Sequence, residues 1–228
     1  MTDFQVPDPL SLILLTAVLA MAPFFAVMAT SYVKLVVILS LVRNALGIQQ
    51  IPPNMVLNGI AVILTVYIMA PVAQQTFALI ETEVTRQPIK ERDTEGLKSL
   101  LSNTSEPIRK FLNRHTSERE KKFFIDNAER LWGKDSEIKI SGDSFFVLVP
   151  AFTVSELTAA FEIGFLIYLP FIAIDLIVSN ILLAMGMMMV SPMTISLPFK
   201  LLLFVLLDGW ARLIHGIVLT YTIPAAGG

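Results

Sequence analysis

The side chains able to do chemistry are a few ionisable groups set in apolar sequence: Lys34, Glu156, Glu162, Asp175, Lys200, Asp208 and Arg212, with His215 beside them. A charge in such surroundings is costly and is a functional candidate by default. Three uses are open: catalysis, ion or proton relay, and pairing between helices. Catalysis is poorly served. Asp208, Arg212 and His215 share a helical face at spacings of four and three, but no Ser or Cys nucleophile stands near an Asp–His dyad there. A relay within one helix is no better placed. Glu162 and Asp175 lie on different faces from each other and from Glu156, at about 100° per residue. Pairing is the simplest use. Lys34 and Lys200 are candidate counter-charges for Glu162 and Asp175, and Asp208 ahead of Arg212 at i, i+4 is a favourable pair. Glu156 closes the sequence Thr153-Val-Ser-Glu156, a capping box that predicts a helix start.

Other chemistries lack their residues. No cysteine is present, and His115 and His215 are a hundred positions apart, so a metal centre would need carboxylates for nearly all its ligands. No phosphate loop or dinucleotide fingerprint occurs. The expectation is a protein without cofactor, metal or enzymatic activity. A net charge of −2 leaves no basic surface for nucleic acid.

The elements that carry these groups are apolar. Hydrophobic residues make up 54% of the 228 residues, and only 16% are charged, against roughly a quarter in a soluble domain. Mean hydropathy is +0.69. The charges are segregated: residues 81–143 hold 13 of the 17 basic and 13 of the 19 acidic residues. This divides the chain into a hydrophobic block (1–80), a polar insert (81–144) and a second hydrophobic block (145–228). The first nine residues hold Asp3 and Asp8 and no base, so the opening run reads as a retained helix and not a signal peptide.

Residues 10–30 form an uncharged run long enough for a bilayer core of about 30 Å, interrupted by Pro23, with a second helical piece from about Phe24 to Ala45 and Gly47 as its cap. Residues 55–73 are a second uncharged run, with Pro71 as a kink. In the insert, Ser117 and Glu120 form a capping box, and Gly133 stops the amphipathic helix behind it, which is expected to pack within the insert. A long helix from about Pro150 bends at Pro170 and ends at Pro192; a last helix runs from Pro198 to about Thr222. Gly209 and Gly216, seven residues apart, offer a stripe for close helix approach. The fold class is thus all-α and membrane-associated: long proline-kinked helical hairpins with a small helical polar insert. Hydropathy alone draws four spans. Lys34, Arg43 and Lys200 put both short turns in the cytoplasm and the insert in the periplasm.

One run lies between the apolar segments of the second block: Met185-Gly186-Met187-Met188-Met189-Val190-Ser191-Pro192. Thioether side chains are unbranched and polarizable, so a dense cluster suits either ordinary core packing or a seal that must deform.

The segments around these residues resemble a known family. Ser40–Gly47 followed by Pro52-Pro53-Asn54, Pro150–Leu157, Ala160–Phe165, Pro170–Asp175, Gly186–Pro192, Ile195–Lys200 and Asp208–Trp210 are similar, in order, to the signatures of the FliP/SctR export-apparatus proteins of type III secretion. The form Gln49-Gln50-Ile51-Pro52-Pro53-Asn54 looks more like the injectisome branch than the flagellar one. The resemblance implies a pentameric set of this chain in the bacterial inner membrane, joined by SctS- and SctT-like subunits in a helical gate, with SctU- and SctV-like components nearby and unfolded substrates in transit. It implies a methionine gasket at Met185, Met187, Met188 and Met189, for which Gly186 and Pro192 would be hinge positions. It also implies that the assembled hairpins sit largely above the bilayer plane. A transporter using Glu162, Asp175 and Asp208 as a relay, and a purely structural scaffold, are the rival readings.

Overall fold

A computed structural model of the chain describes residues 9–48, 50–86, 94–133 and 141–222. Gln49, inside the family-like turn, lies outside the described residues. Among the described residues the secondary structure is helical, without strands: α1 (Pro9–Met28), α2 (Tyr32–Ala45), α3 (Asn54–Arg86), α4 (Thr94–Thr104), α5 (Glu106–His115), α6 (Glu118–Trp132), α7 (Phe145–Ala184), α8 (Pro192–Leu206) and α9 (Gly209–Leu219). The all-α class holds.

The most enclosed element is α2. Leu35, Ile38, Leu39, Val42 and Ala45 recur at steps of one, three and four, so one stripe of a 3.6-residue helix carries them all, and all five are buried. Fully burying each large aliphatic side chain is worth about 1.5–3 kcal/mol, which draws this stripe inward. It shares a core with Leu57 and Ala61 of α3, Ala160 and Phe171 of α7, Phe204 of α8, and Leu213 and Ile217 of α9. Gly164 of α7 sets the approach: a Cβ there would lie 2.3 Å from Leu41 Cδ1 and 3.2 Å from its Cβ. Only a residue without a side chain lets Leu41 seat against α7.

The two longest helices exceed a bilayer. At 1.5 Å per residue α7 runs about 60 Å and α3 about 50 Å, against a hydrocarbon core of about 30 Å. Both are long and apolar enough to cross a membrane, and α8 with α9, bent by 61°, makes a third candidate. Hydropathy drew four.

The breaks fall elsewhere than the prolines suggest. Pro23 lies inside α1, and the chain turns at residues 29–31 before α2. Pro71 lies inside α3, which continues to Arg86, so the polar insert begins within a helix of the first block. Thr153–Glu156 is no helix start: α7 begins at Phe145, with Ser144 at the N-cap position but making no side-chain cap bond, and passes through Pro150 and Pro170. Pro192 opens α8 and does not end α7, which stops at Ala184. The expected last helix is two helices, broken at Asp208 in the left-handed region (φ 50°).

The insert docks on the second block. Phe111 and Leu112 of α5 share a core with Leu148 and Phe152 of α7 and with Tyr221. Ser155 Oγ of α7 accepts the backbone N–H of Ser117 at 3.0 Å, and the Ser117 hydroxyl makes no cap bond of its own. Nor does α6 pack only within the insert: Phe124, Ala128 and Leu131 gather beside Phe146 of α7.

Candidate functional site

The methionine run is a turn joining α7 to α8. Its shape follows from local chemistry. Gly186 has φ 74°, a conformation that L side chains rarely adopt, and the helix end closes with Gly186 N–H to Leu183 O at 3.0 Å and Met187 N–H to Leu182 O at 2.9 Å. This pair of bonds is a Schellman stop, with glycine at the position that needs positive φ. Pro192, at the first position of α8, starts the next helix where a missing N–H costs nothing. The methionines between these two stops find no core. Met185 is 66% exposed, Met187 43%, Met188 81% and Met189 101%. A subunit that presents four thioether side chains on a tight turn has left them for something other than its own packing.

Two ion pairs fix the helices that carry this turn. Lys200 of α8 donates to Asp175 Oδ2 of α7 at 2.6 Å and to Ala45 O at 3.3 Å, while Ser196 Oγ donates to Asp175 Oδ1 at 2.6 Å. Asp175 thus locks α8 against α7 about three turns below the methionines, and Lys200 ties both to the end of α2. The second pair is deeper. Lys34 Nζ of α2 lies 3.2 Å from Glu156 Oε1 of α7, with the two residues 5% and 2% exposed. Tyr221 donates its hydroxyl to Glu156 Oε2, and the Lys34 ammonium stands 4.6 Å from the centre of the Tyr221 ring. The carboxylate, freed from capping duty by the earlier start of α7, thereby joins α2, α7 and the segment after α9.

The other ionisable residues separate. Glu162 is exposed on α7. Asp208 stands at the α8–α9 break, and no ion pair joins it to Arg212, because its left-handed backbone takes it off the helix on which i, i+4 pairing depends. Gly209 is used inside the chain: a Cβ there would meet the Phe204 ring at 2.4 Å, whereas Gly216 has open space around it. Among the described residues no cluster of three or more His, Asp or Glu is arranged to hold a metal.

Two contributors were not expected. Arg43, read as an orientation-setting charge, donates to Asn54 Oδ1 at 2.6 Å and to Pro52 O at 3.2 Å, clamping the turn between α2 and α3. Their spacing of eleven residues matches no local pattern, though both belong to the one family-like signature. Tyr221 gave no signal beyond being a lone phenol after an apolar run.

His115 closes the cluster from the insert side, its ring 5.1 Å from that of Tyr221 and 4.8 Å from that of Phe111. Burial, with the Lys34 and Arg114 cations, lowers its pKa from 6.5 to about 4. The folded chain therefore takes up this proton less readily than the unfolded chain, so the contribution is complete above about pH 6.5 and lost as pH falls through about 4. Protection of α5 against hydrogen exchange, taken relative to the intrinsic rate at each pH, is expected to fall on acidification across that window, and His115→Phe to remove that dependence. An equal fall in the variant would assign the effect to other groups.

Residues 14–217 match the model of the FliP family. The chain is 55% identical over 217 residues to "Yop proteins translocation protein R" of Yersinia pestis, covering 95% of this chain and 98% of that one. It is 50% identical over 208 residues to "Virulence protein YscR" of Salmonella typhimurium, covering 90% and 94%. It is 48% identical over 211 residues to "Hypersensitivity response secretion protein HrcR" of Ralstonia nicotianae, covering 92% and 96%.

Proposed function

The chain belongs to the FliP family, as an SctR-type protein of the type III secretion export apparatus, and from that premise we propose that it forms the export gate itself. Its place is in a membrane, which the apolar length of α3 and α7 suits. In the proposed gate, five copies surround an axis in the bacterial inner membrane, with SctS- and SctT-like subunits completing the assembly and SctU- and SctV-like components at its entrance. Residues 81–144 face the periplasm, and unfolded substrates pass along the axis.

The observation that carries this reading is the methionine turn. Met185, Met187, Met188 and Met189 are held on a backbone stopped at both ends, yet the subunit leaves all four exposed, Met189 fully and Met187 in part. Thioethers from several copies can close on one another, exclude water, and re-pack around any passing sequence without binding it tightly. A constriction of this kind also blocks ions by dewetting. Gly186 supplies the point where the turn can re-aim when a chain enters.

A carboxylate relay is the competing mechanism, and neutralisation separates the two. Asp175→Asn removes the partner of Lys200 and is expected to reduce assembled complex before any flux is affected. Glu162→Gln touches no bond within the subunit and is expected to leave substrate-free permeability unchanged. Loss of an ion flux in either variant with the complex intact would favour the relay.

A further inference from the structure

Between α3, α5 and the segment after α9 lies a cavity of about 610 Å³ that the gate mechanism does not use. Its lining divides by chemistry. Ile68 and Val72 of α3, Phe111 of α5 and Val218 of α9 give it an apolar floor, with the His115 ring on its wall; Lys110 and Arg114 of α5 give it a basic rim. Among the described residues no carboxylate lines it. Glu106 reaches Lys110 from outside, at 3.8 Å, and Arg114 donates to Thr222 O at 3.0 Å, which leaves further guanidinium N–H groups for another acceptor.

Position distinguishes the ligand. Toward the end of the uncharged stretch of α3, whose first charge is Glu81, the polar Gln74 and Gln75 also line the cavity. The cavity therefore stands within two turns of the point where α3 first carries charge, near the level of a membrane interface. Tyr67, at its mouth, is 70% exposed, and Ile63, one turn back on the same face, is equally exposed. An apolar strip thus leads away from a basic pocket into the bilayer-facing length of α3.

We propose that this cavity binds an anionic phospholipid, with the headgroup phosphate between Lys110 and Arg114 and an acyl chain along Tyr67 and Ile63. A free anion would use the rim and leave the strip empty; a lipid uses both.

The test is native mass spectrometry of the purified full-length protein, released from detergent after incubation with phosphatidylglycerol, phosphatidylcholine or inorganic phosphate. Phosphatidylglycerol should be retained over phosphatidylcholine, and inorganic phosphate should not displace it at equal concentration. Lys110→Gln and Arg114→Gln should each weaken retention about fivefold, and Tyr67→Gln should weaken it with the rim intact. Equal retention of the two lipids, retention unaffected by the rim variants, or displacement by inorganic phosphate would overturn the proposal. None of these outcomes depends on the methionine turn, so the gate reading stands or falls separately.

Discussion

Replacing Met187, Met188 and Met189 together with alanine is expected to raise the substrate-free ion leak of the assembled complex at least about tenfold, while the complex still forms. The three side chains are exposed in the subunit and hold none of its helices together, so folding should not depend on them. Their work, on the proposed reading, begins only when copies converge. Truncating a packed methionine to alanine typically forfeits about 2–5 kcal/mol of contact and cavity terms. A loss of only about 1.4 kcal/mol from the closed barrier corresponds to a tenfold rise in passage. Planar-bilayer conductance of the assembled complex measures it. Leucine at the same positions should restore much of the seal, since it is apolar and of similar volume, but it should slow export, because a branched side chain re-packs less freely. A leak unchanged by alanine, with assembly intact, would remove the gasket role.

The second large effect concerns the buried pair. Lys34→Met alone, or Glu156→Leu alone, is expected to destabilise the subunit by about 3–5 kcal/mol, because each leaves an uncompensated charge out of water. The double variant Lys34→Met with Glu156→Leu should recover most of that loss, for an apolar pair of similar volume often equals a buried ion pair. Recovery should stay incomplete until Tyr221→Phe is added, since the phenol would otherwise lose its acceptor at a cost of about 1–3 kcal/mol. The check is a thermal unfolding series in detergent, with yield of folded protein as the second readout. Additive losses in the double variant would show that the two residues act separately.

The parts of the fold legible in the sequence were those decided by local backbone chemistry. Gly47 and Gly133 end α2 and α6 because each adopts the positive φ that such stops require. The polar insert stood out because charges segregate. Pro150 and Pro192 misled as the ends of one helix: α7 continues through Pro150, as it was expected to at Pro170, since a helix whose neighbours hold it can pass a missing N–H. The Thr153–Glu156 box misled for a related reason. Capping is only one use of those side chains, and inside α7 Thr153 donates to the carbonyls of Val149 and Met28 while Glu156 turns to Lys34. Partners 122 residues apart leave no periodic trace. At Asp208 the opposite occurred: a spacing that suits an ion pair was spoiled by a backbone break that the sequence did not announce, beyond the glycine after it. The methionine turn was legible as chemistry, while its exposure required the structure.

The central claim is that the turns of several copies meet on one axis. The chain has no cysteine, so Met188→Cys introduces a single thiol at the tip of the turn. In the assembled complex, oxidation or a short bis-maleimide should join this thiol between two copies and yield covalent dimers, one thiol per copy allowing one link, and a passing substrate trapped in the channel should suppress the reaction. A fully assembled complex in which the thiol stays monomeric and reacts freely with bulk reagent would contradict the account.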